Sequence, residues 1–343
     1  MRSTVPAALA LLATGALVLS GCATAVTADG GSGPSVVATT TQVADFTREL
    51  VGEQVEVTQL VGPNRSAHDF DPSAAQLLAL ANADALVVNG AGLETWLDDV
   101  IDASGFDGTL IDASTGVPLL AGGDHDHADE AHDDEAHDEE TDDHADDADA
   151  GESGNPHIWT DPARAALMVE NIAAGLEQVD GIDAATLESA EDAYLGQLDA
   201  LDAWIHENVD PVPVADRLLV TNHDAFTYFV DAYEITYVGS IIPGFDDNAE
   251  PSAAELDALI AAIRATGARA VFSEQSIPPD AARTIAREAG VEVYDGDDAL
   301  YGDSLGVAGS DGETYLGSQV HNVQLIAGSW GVEVTEPPAV LGG

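Results

Sequence analysis

The chain of 343 residues contains 63 Asp or Glu and only 9 basic residues, for a formal net charge of −54. All nine basic residues are Arg, and this balance argues against a nucleic-acid binder, which needs a basic face to neutralise phosphate. It also argues against docking on anionic lipid through a polybasic patch. Because 45% of the residues are hydrophobic, we expect a folded protein, with a length that allows about two domains. A single Cys excludes an intramolecular disulfide.

The N-terminus has the pattern of an exported, lipid-anchored protein. An apolar run over 5–19 is too short for an ordinary membrane span. It ends in the sequence LSGC, which resembles a bacterial lipobox, where a peptidase cleaves before a Cys that carries a diacylglycerol. The only Cys of the chain stands at this position, so we predict a signal peptide at 1–21, lipidation of Cys22 and a flexible tether over 22–35. A chance Cys after an ordinary signal peptide is the alternative.

Short β-branched runs then alternate with helical patterns. Strands are predicted at 36–40, 55–60, 85–89 and 109–112, and helices at 43–51, 73–81 and 94–103. Asp71 with Pro72 is predicted to cap the second of these helices. Strands that alternate with helices indicate a parallel sheet covered by helices.

An acidic tract interrupts this pattern at 124–150. It contains 15 acidic residues and five His, and no apolar side chain larger than Ala. Such a tract cannot build a core and its like charges repel, so we predict a solvated loop. His-rich tracts bind borderline metals such as zinc, and we interpret this one as an auxiliary metal loop with the ligands His125, His127, His132, His137 and His144. A low-complexity, solubilising loop is the alternative interpretation.

Behind the tract, Asp161 and Pro162 repeat the capping pattern and begin a helix predicted to reach 179. A long helix over 184–208 follows, and the alternation then resumes. Strands are predicted at 218–221, 235–239, 270–273 and 291–294, and helices at 225–232, 252–266, 280–289 and 315–330. We therefore predict an α/β fold of two lobes with mainly parallel sheets, at 36–182 and 211–343, joined by a long linking helix over 183–210.

Outside the acidic tract only five His remain, and three of them stand where a strand or loop leads into a helix. These three are His68, His157 and His223. In open α/β sheets the ligand lies outside the carboxyl ends of the strands, and His223 follows a predicted strand. Asp303, after a later strand and turn, is a fourth candidate. Three imidazoles and a carboxylate suit Zn²⁺, but residues so far apart form no local zinc motif, and a loop or capping role stays open for each.

Four segments in this order resemble the metal-binding lipoproteins of bacterial zinc/manganese ABC importers: GPNRSAHDFDPSAAQ, NPHIWTDP, TNHDAFTYFVDAYEI and ALYGDSLG. The resemblance covers about 36–330 and includes the lipobox and the acidic tract. It implies two α/β lobes bridged by a rigid helix, with one metal ion in the cleft between them. By motif, His68 and His157 would come from the first lobe, and His223 and Asp303 from the second.

Within this family, a His at position 223 favours zinc, because manganese-type members tend to have a harder carboxylate ligand there. The acidic tract likewise resembles that of zinc-type members. One departure is Asn155, where the family usually has Asp, and this would alter the support of a ligand but not the ligand itself. Glu274 is kept as a candidate supporting residue. Structural roles are predicted for the remaining conspicuous residues: His206, His321, Trp159, Phe226 and Tyr228.

The resemblance implies capture of Zn²⁺ outside the cytoplasm and its delivery to a membrane permease driven by a cytoplasmic ATPase. We expect a monomer, lipid-anchored at the extracytoplasmic face of the cell membrane, with affinity that falls below about pH 6 as imidazoles protonate. Mn²⁺ or another divalent metal is the alternative cargo. An exported zinc hydrolase is a rival class, but four protein ligands close the shell that catalysis needs open, and no hydrolase motif is present. We therefore predict no enzyme activity; an adhesin role is a third interpretation.

Overall fold

The computed structural model describes residues 33–52, 55–120, 154–247 and 249–342. The described residues form one compact unit in which strands and helices alternate, as predicted. The predicted signal peptide, Cys22 and the acidic tract lie outside the described residues. Within those residues no helix is both long and apolar enough to cross a membrane.

The first half of the fold is a parallel four-stranded sheet with the strand order β2-β1-β3-β4. Its strands are β1 (Ser35–Ala38), β2 (Glu56–Gln59), β3 (Ala85–Val88) and β4 (Thr109–Asp112). The helices between them are α1 (Thr41–Val51), α2 (Ala74–Ala81) and α3 (Leu97–Ser104). All four side chains of β3 are buried apolar groups, because helices cover both faces of a parallel sheet.

One predicted helix cap and one predicted helix start are wrong. Ser73, not Asp71, caps α2, because its side chain pairs reciprocally with Gln76 in a capping box. The helix α3 begins at Leu97 rather than at 94. The carboxylate of Glu94 instead accepts hydrogen bonds from the Thr39 hydroxyl and from two backbone N–H groups that follow β3.

The second half begins with α4 (Pro162–Leu176), capped by Asp161 as predicted, and the 26-residue helix α5 (Ala184–Val209). Its strands are β5 (Leu218–Thr221), β6 (Thr236–Ser240), β7 (Ala270–Phe272) and β8 (Glu292–Tyr294). Its helices are α6 (Thr227–Ala232), α7 (Ala253–Thr266), α8 (Asp280–Ala289) and α9 (Tyr315–Ser329). The strands form two parallel pairs, β5-β6 and β7-β8, with β5 packed beside β7.

A shared core connects the two halves through α5. One hydrophobic cluster runs from β1 and α1 through α4 and α5 to α6 and α9. At its centre the ring of Phe46 on α1 lies 6.0 Å from that of Tyr194 on α5 and 4.8 Å from that of Tyr315 on α9. Aromatic burial of this kind stabilises the contact between helices that are distant in sequence. The long helix is therefore packed along its length, which positions the loops of both halves relative to each other.

Candidate metal site

The structure brings together the four residues that the motifs singled out. A ligand atom of each lies within 4.8 Å of those of the others, and in the described part of the chain this is the only such group of His, Cys, Asp and Glu. We call it the His₃Asp set: His68, His157, His223 and Asp303.

Three members follow the carboxyl end of a strand or its continuation, and the fourth, His157, precedes a short helix. His68 lies in the loop between β2 and α2, and His157 directly precedes a short 3₁₀ helix, Ile158–Thr160. His223 lies two residues beyond β5, and Asp303 follows an isolated parallel bridge between Glu274 and Leu300. The loops after parallel strands meet at one edge of a sheet, which explains why residues so far apart in sequence converge.

The histidines point their Nε2 atoms at a common centre. Nε2 of His157 lies 3.2 Å from Nε2 of His68 and 3.4 Å from Nε2 of His223. Two nitrogens bound tetrahedrally to one Zn²⁺ at about 2.05 Å would stand about 3.3 Å apart. Two of the three imidazole pairs are therefore already at the spacing that a shared tetrahedral cation requires.

Asn155 determines which nitrogen of His157 carries the proton. Its Oδ1 accepts the backbone N–H of His157 at 3.0 Å and faces Nδ1 at 2.7 Å. Its Nδ2 donates to the carbonyl of Asp224 at 2.7 Å and to Oγ1 of Thr227 at 3.1 Å, so the amide orientation is settled. Because Nδ1 faces an acceptor, it must donate, and Nε2 is left with a free lone pair.

Glu274 supports His223 in the same way. Its Oε1 accepts from the backbone N–H of His223 at 3.2 Å and faces Nδ1 at 2.9 Å. The predicted supporting role of Glu274 therefore has the geometry of a carboxylate that orients a metal-binding imidazole. Nε2 of His223 is thereby directed at Asp303.

Asp303 provides the only carboxylate oxygens of the set. Its Oδ1 lies 2.9 Å from Nε2 of His157 and 3.1 Å from Nε2 of His223. Among the described residues Oδ2 has no hydrogen-bond partner, although it is buried. Asp303 and Glu274 together supply up to two buried negative charges, which a divalent cation would balance.

The electrostatics keep two members of the set in opposite states. Burial lowers the pKa of His157 to about 4, so this imidazole is neutral at pH 7. Burial also lowers the pKa of His223, but the carboxylates of Asp303 and Glu274 outweigh it and raise that pKa well above its usual value. Burial acts to raise the pKa of Asp303, but the charge of His223 and the hydrogen bond from its Nε2 hold that pKa well below its usual range. A cation that binds must therefore displace a proton from His223.

His68 is on the accessible side of the set. Its side chain is 7% exposed, whereas those of the other three members are completely buried. The preceding residues Pro63, Asn64 and Arg65 are exposed. Of the four members, His68 is therefore the one with a side chain in contact with solvent.

Two other His residues have structural roles, as predicted. His206 is 43% exposed on α5 and contacts Asp202 and Asp210 within one turn. His321 is buried on α9, where Nε2 lies 3.0 Å from the carbonyl of Ala299. The five His of the acidic tract and Cys22 lie outside the described residues, so their predicted roles stay predictions.

Sequence reasoning missed several buried polar residues around the set. Asn89 donates to the carbonyl of Pro156, next to His157, and the backbone of Asn89 is held by Glu94. Trp159, predicted as a core aromatic, is buried but also donates from Nε1 to the carbonyl of Gly302. One sequence feature marks this region, since polar residues stand directly at the carboxyl ends of β1 and β3.

The fold is similar to those of solved periplasmic metal-binding proteins. The structure of periplasmic zinc binding protein TroA from Treponema pallidum matches 87% of this chain over 99% of its own, with a TM-score of 0.73 and 25% identity. A Mn-bound periplasmic metal binding protein from Candidatus Liberibacter asiaticus matches 87% of this chain and 99% of its own, with a TM-score of 0.71. At 19% identity this second match is a likeness of fold alone. The predicted fold class, that of two-lobed α/β metal-binding proteins, is confirmed.

Sequence comparison then places the chain in a family. The manganese-binding lipoprotein MntA of Halalkalibacterium halodurans is 26% identical over 310 residues, 90% of this chain and 93% of that protein. The zinc-binding lipoprotein AdcA of Streptococcus pneumoniae is 30% identical over 283 residues, 81% of this chain; the chain spans 52% of its length. The family described as zinc-uptake complex component A, periplasmic, matches residues 36–329. The chain belongs to this family of solute-binding components of metal ABC importers, and the resemblance inferred from the four motifs is confirmed.

Proposed function

We propose that this protein captures Zn²⁺ in the His₃Asp set outside the cytoplasm and delivers it to the membrane permease of an ABC importer. The observation that carries the proposal is the convergence of Nε2 of His157, Nε2 of His223 and Oδ1 of Asp303 within 3.4 Å. With both Nδ1 atoms directed at Asn155 and Glu274, the converging atoms are all acceptors once His223 has lost its Nε2 proton. One cation satisfies all of them at once, whereas one proton satisfies a single pair.

Zinc is preferred to manganese on the chemistry of the donors. Three imidazoles and one carboxylate suit a borderline cation in tetrahedral geometry, whereas Mn²⁺ favours oxygen donors. Glu274, a further buried carboxylate beside the set, is engaged with His223. Because relatives are named for both metals, Mn²⁺ is the alternative cargo.

Binding and release, rather than catalysis, fit the closed set of ligands. A catalytic zinc site keeps a position open for water or substrate, and here four protein ligands would complete a tetrahedral shell. We therefore propose that the protein is not an enzyme. Hydrolysis of an ester or peptide substrate by the zinc-loaded protein, above the rate of the His223→Ala variant, would contradict this.

The remaining parts of the chain extend the proposal. Cleavage at 1–21 and lipidation of Cys22 would hold a monomer on the extracytoplasmic face, near a permease driven by a cytoplasmic ATPase. Lobes at 36–182 and 211–343 would be linked over 183–210, the region of α5. The acidic tract at 124–150 would collect zinc near the cleft. Its deletion should impair growth only in chelated medium, and unchanged growth there would favour the solubilising interpretation.

Calorimetric titration of the mature protein with Zn²⁺ and with Mn²⁺ tests the cargo. We expect tighter binding of Zn²⁺, a stoichiometry of one in protein lacking the acidic tract, and a large loss of affinity in His223→Ala. The matched control is His206→Ala, because His206 is exposed and outside the set. Tighter binding of Mn²⁺, or equal zinc affinity in the two variants, would overturn the zinc assignment.

A further inference from the structure

The segment that carries Asp303 is held by donors from the first half of the chain. The carbonyl of Gly302 accepts from Nε2 of Gln42 at 3.2 Å and from Nε1 of Trp159, also at 3.2 Å. Gln42 stands near the start of α1, 260 residues away in sequence. Because the Gly302 carbonyl belongs to the same peptide group as the N–H of Asp303, these bonds fix the plane from which Asp303 extends.

Thr41 completes a closed arrangement on the other side of Asp303. Its hydroxyl donates to Oε1 of Gln42 at 2.8 Å and accepts the backbone N–H of Leu305 at 2.9 Å. The first bond directs Oε1 of Gln42 to Thr41 and therefore Nε2 to Gly302. We call this arrangement the interlobe brace: Thr41, Gln42, Gly302 and Leu305.

The brace is shielded from water. Gln42 is 1% exposed and Thr41 and Leu305 are each 4% exposed. Buried hydrogen bonds of this kind act in a medium of low dielectric, and a donor or acceptor that loses its partner there finds no water to replace it. The brace therefore holds Asp303 more firmly than a surface loop could.

We infer that Gln42 is a positioning residue for Asp303, which it holds on the bound cation through the carbonyl of Gly302. The inference rests on the proposed function of the His₃Asp set. The amide of Gln42 belongs to the first half of the chain and the carboxylate of Asp303 to the second. A movement that separates the halves therefore breaks the brace and, in the same step, withdraws the Asp303 oxygen from the cation. Gln42 thereby sets the rate at which the cation leaves.

The test is the dissociation rate of Zn²⁺, measured by stopped flow with excess chelator on the full mature chain. The variant is Gln42→Met, which keeps the length of the side chain and removes its hydrogen bonds. We expect zinc dissociation to accelerate about tenfold, the usual effect of losing one buried hydrogen bond. Gln319→Met is the matched control, because Gln319 is 2% exposed on α9 and outside the brace. It should leave the rate unchanged.

A double-mutant cycle separates positioning from a general structural role. In an Asp303→Asn background, Gln42→Met should add no further acceleration, because the ligand it positions is already lost. Equal acceleration in both backgrounds would overturn the inference. If Gln42→Met does not fold, Thr41→Val removes the hydroxyl of the same brace and takes its place in the cycle.

The outcomes also distinguish the inference from the function on which it rests. If the unsubstituted protein binds no Zn²⁺, the proposed function and the inference both fail. If it binds Zn²⁺ and Gln42→Met releases the ion at the unsubstituted rate, the inference alone fails.

Discussion

The carboxylate of Glu274 occupies the space in which a side chain at position 302 would begin. A β-carbon built on Gly302 lies 2.1 Å from Oε2 of Glu274, closer than any real contact. The other oxygen of this carboxylate, Oε1, accepts hydrogen bonds from the backbone N–H and the Nδ1–H of His223. Glu274, which orients the proposed ligand His223, therefore packs directly against the backbone that carries another proposed ligand, Asp303.

This contact predicts the effect of Gly302→Ala. The added methyl group must displace Glu274, which turns His223 away from the common centre, and we expect zinc affinity to fall about 10- to 100-fold. Overpacking should also destabilise the fold by about 1–3 kcal/mol. Calorimetric titration and thermal unfolding measure the two effects. Gly328→Ala is the control, because a β-carbon there meets nothing within 4 Å; a similar loss of affinity in this variant would contradict the explanation.

Glu274→Gln tests the charge of the supporting carboxylate. Glutamine has nearly the same shape and keeps one acceptor for His223, but it withdraws a buried negative charge. We expect zinc affinity to fall about tenfold or more while the secondary structure is retained. Glu288→Gln removes an equal charge from an exposed position and should bind zinc as the unsubstituted protein does. Equal affinities in the two variants would show that the charge at 274 is dispensable.

Asn155→Ala should weaken both the site and the fold. The substitution leaves Nδ1–H of buried His157 without its acceptor, at a cost of about 1–3 kcal/mol, and removes the hydrogen bond that Asn155 donates to the carbonyl of Asp224. Zinc affinity should fall with it, because the orientation of His157 is no longer fixed.

The control for this prediction is Asn171→Ala. Asn171 also donates to two backbone carbonyls, those of Ala113 and Thr115, but it lies away from the His₃Asp set. We expect reduced stability with unchanged zinc affinity, as measured by denaturant unfolding and titration. Loss of affinity in proportion to stability in both variants would argue against a specific role of Asn155.

The buried carboxyl group of Asp45 should make the stability of the protein depend on pH. Burial raises the pKa of Asp45 to about 6, against 3.8 in the unfolded chain. Between pH 3.8 and about 6 the carboxyl group therefore stays protonated in the folded state but is ionised in the unfolded state. Asp45 therefore costs stability progressively as pH rises from about 4 to 6. Asp45→Asn keeps an acceptor for the Tyr315 N–H without the buried charge and should stabilise the protein at pH 7.5 by about 3 kcal/mol. The gain should vanish near pH 4.

Thermal unfolding at a series of pH values measures this gain. Asp199→Asn removes the same charge from an exposed position on α5 and controls for the general repulsion in a chain of net charge −54. If Asp199→Asn stabilises the protein as much, relief of overall repulsion explains the result and the burial of Asp45 does not.

The predictions from sequence succeeded where local patterns decide the outcome. The cap at Asp161 and the bounds of α5 follow from side chains and periodicity within a few residues, and the structure has them as predicted. The predicted start of α3 was wrong, because the carboxylate of Glu94 accepts hydrogen bonds from groups that follow β3 and β1. A local pattern contains no information on such a distant partner.

The sequence by itself determined the α/β class, the long helix and, through four ordered motifs, the residues of the His₃Asp set. Only the tertiary structure decided which nitrogen of His157 and of His223 faces the centre, because this depends on Asn155 and Glu274. It alone also revealed the brace, since Gln42 and Gly302 are 260 residues apart. Ligand identity is a property of residue type, whereas proton position and orientation are properties of contacts that form only when the chain is folded.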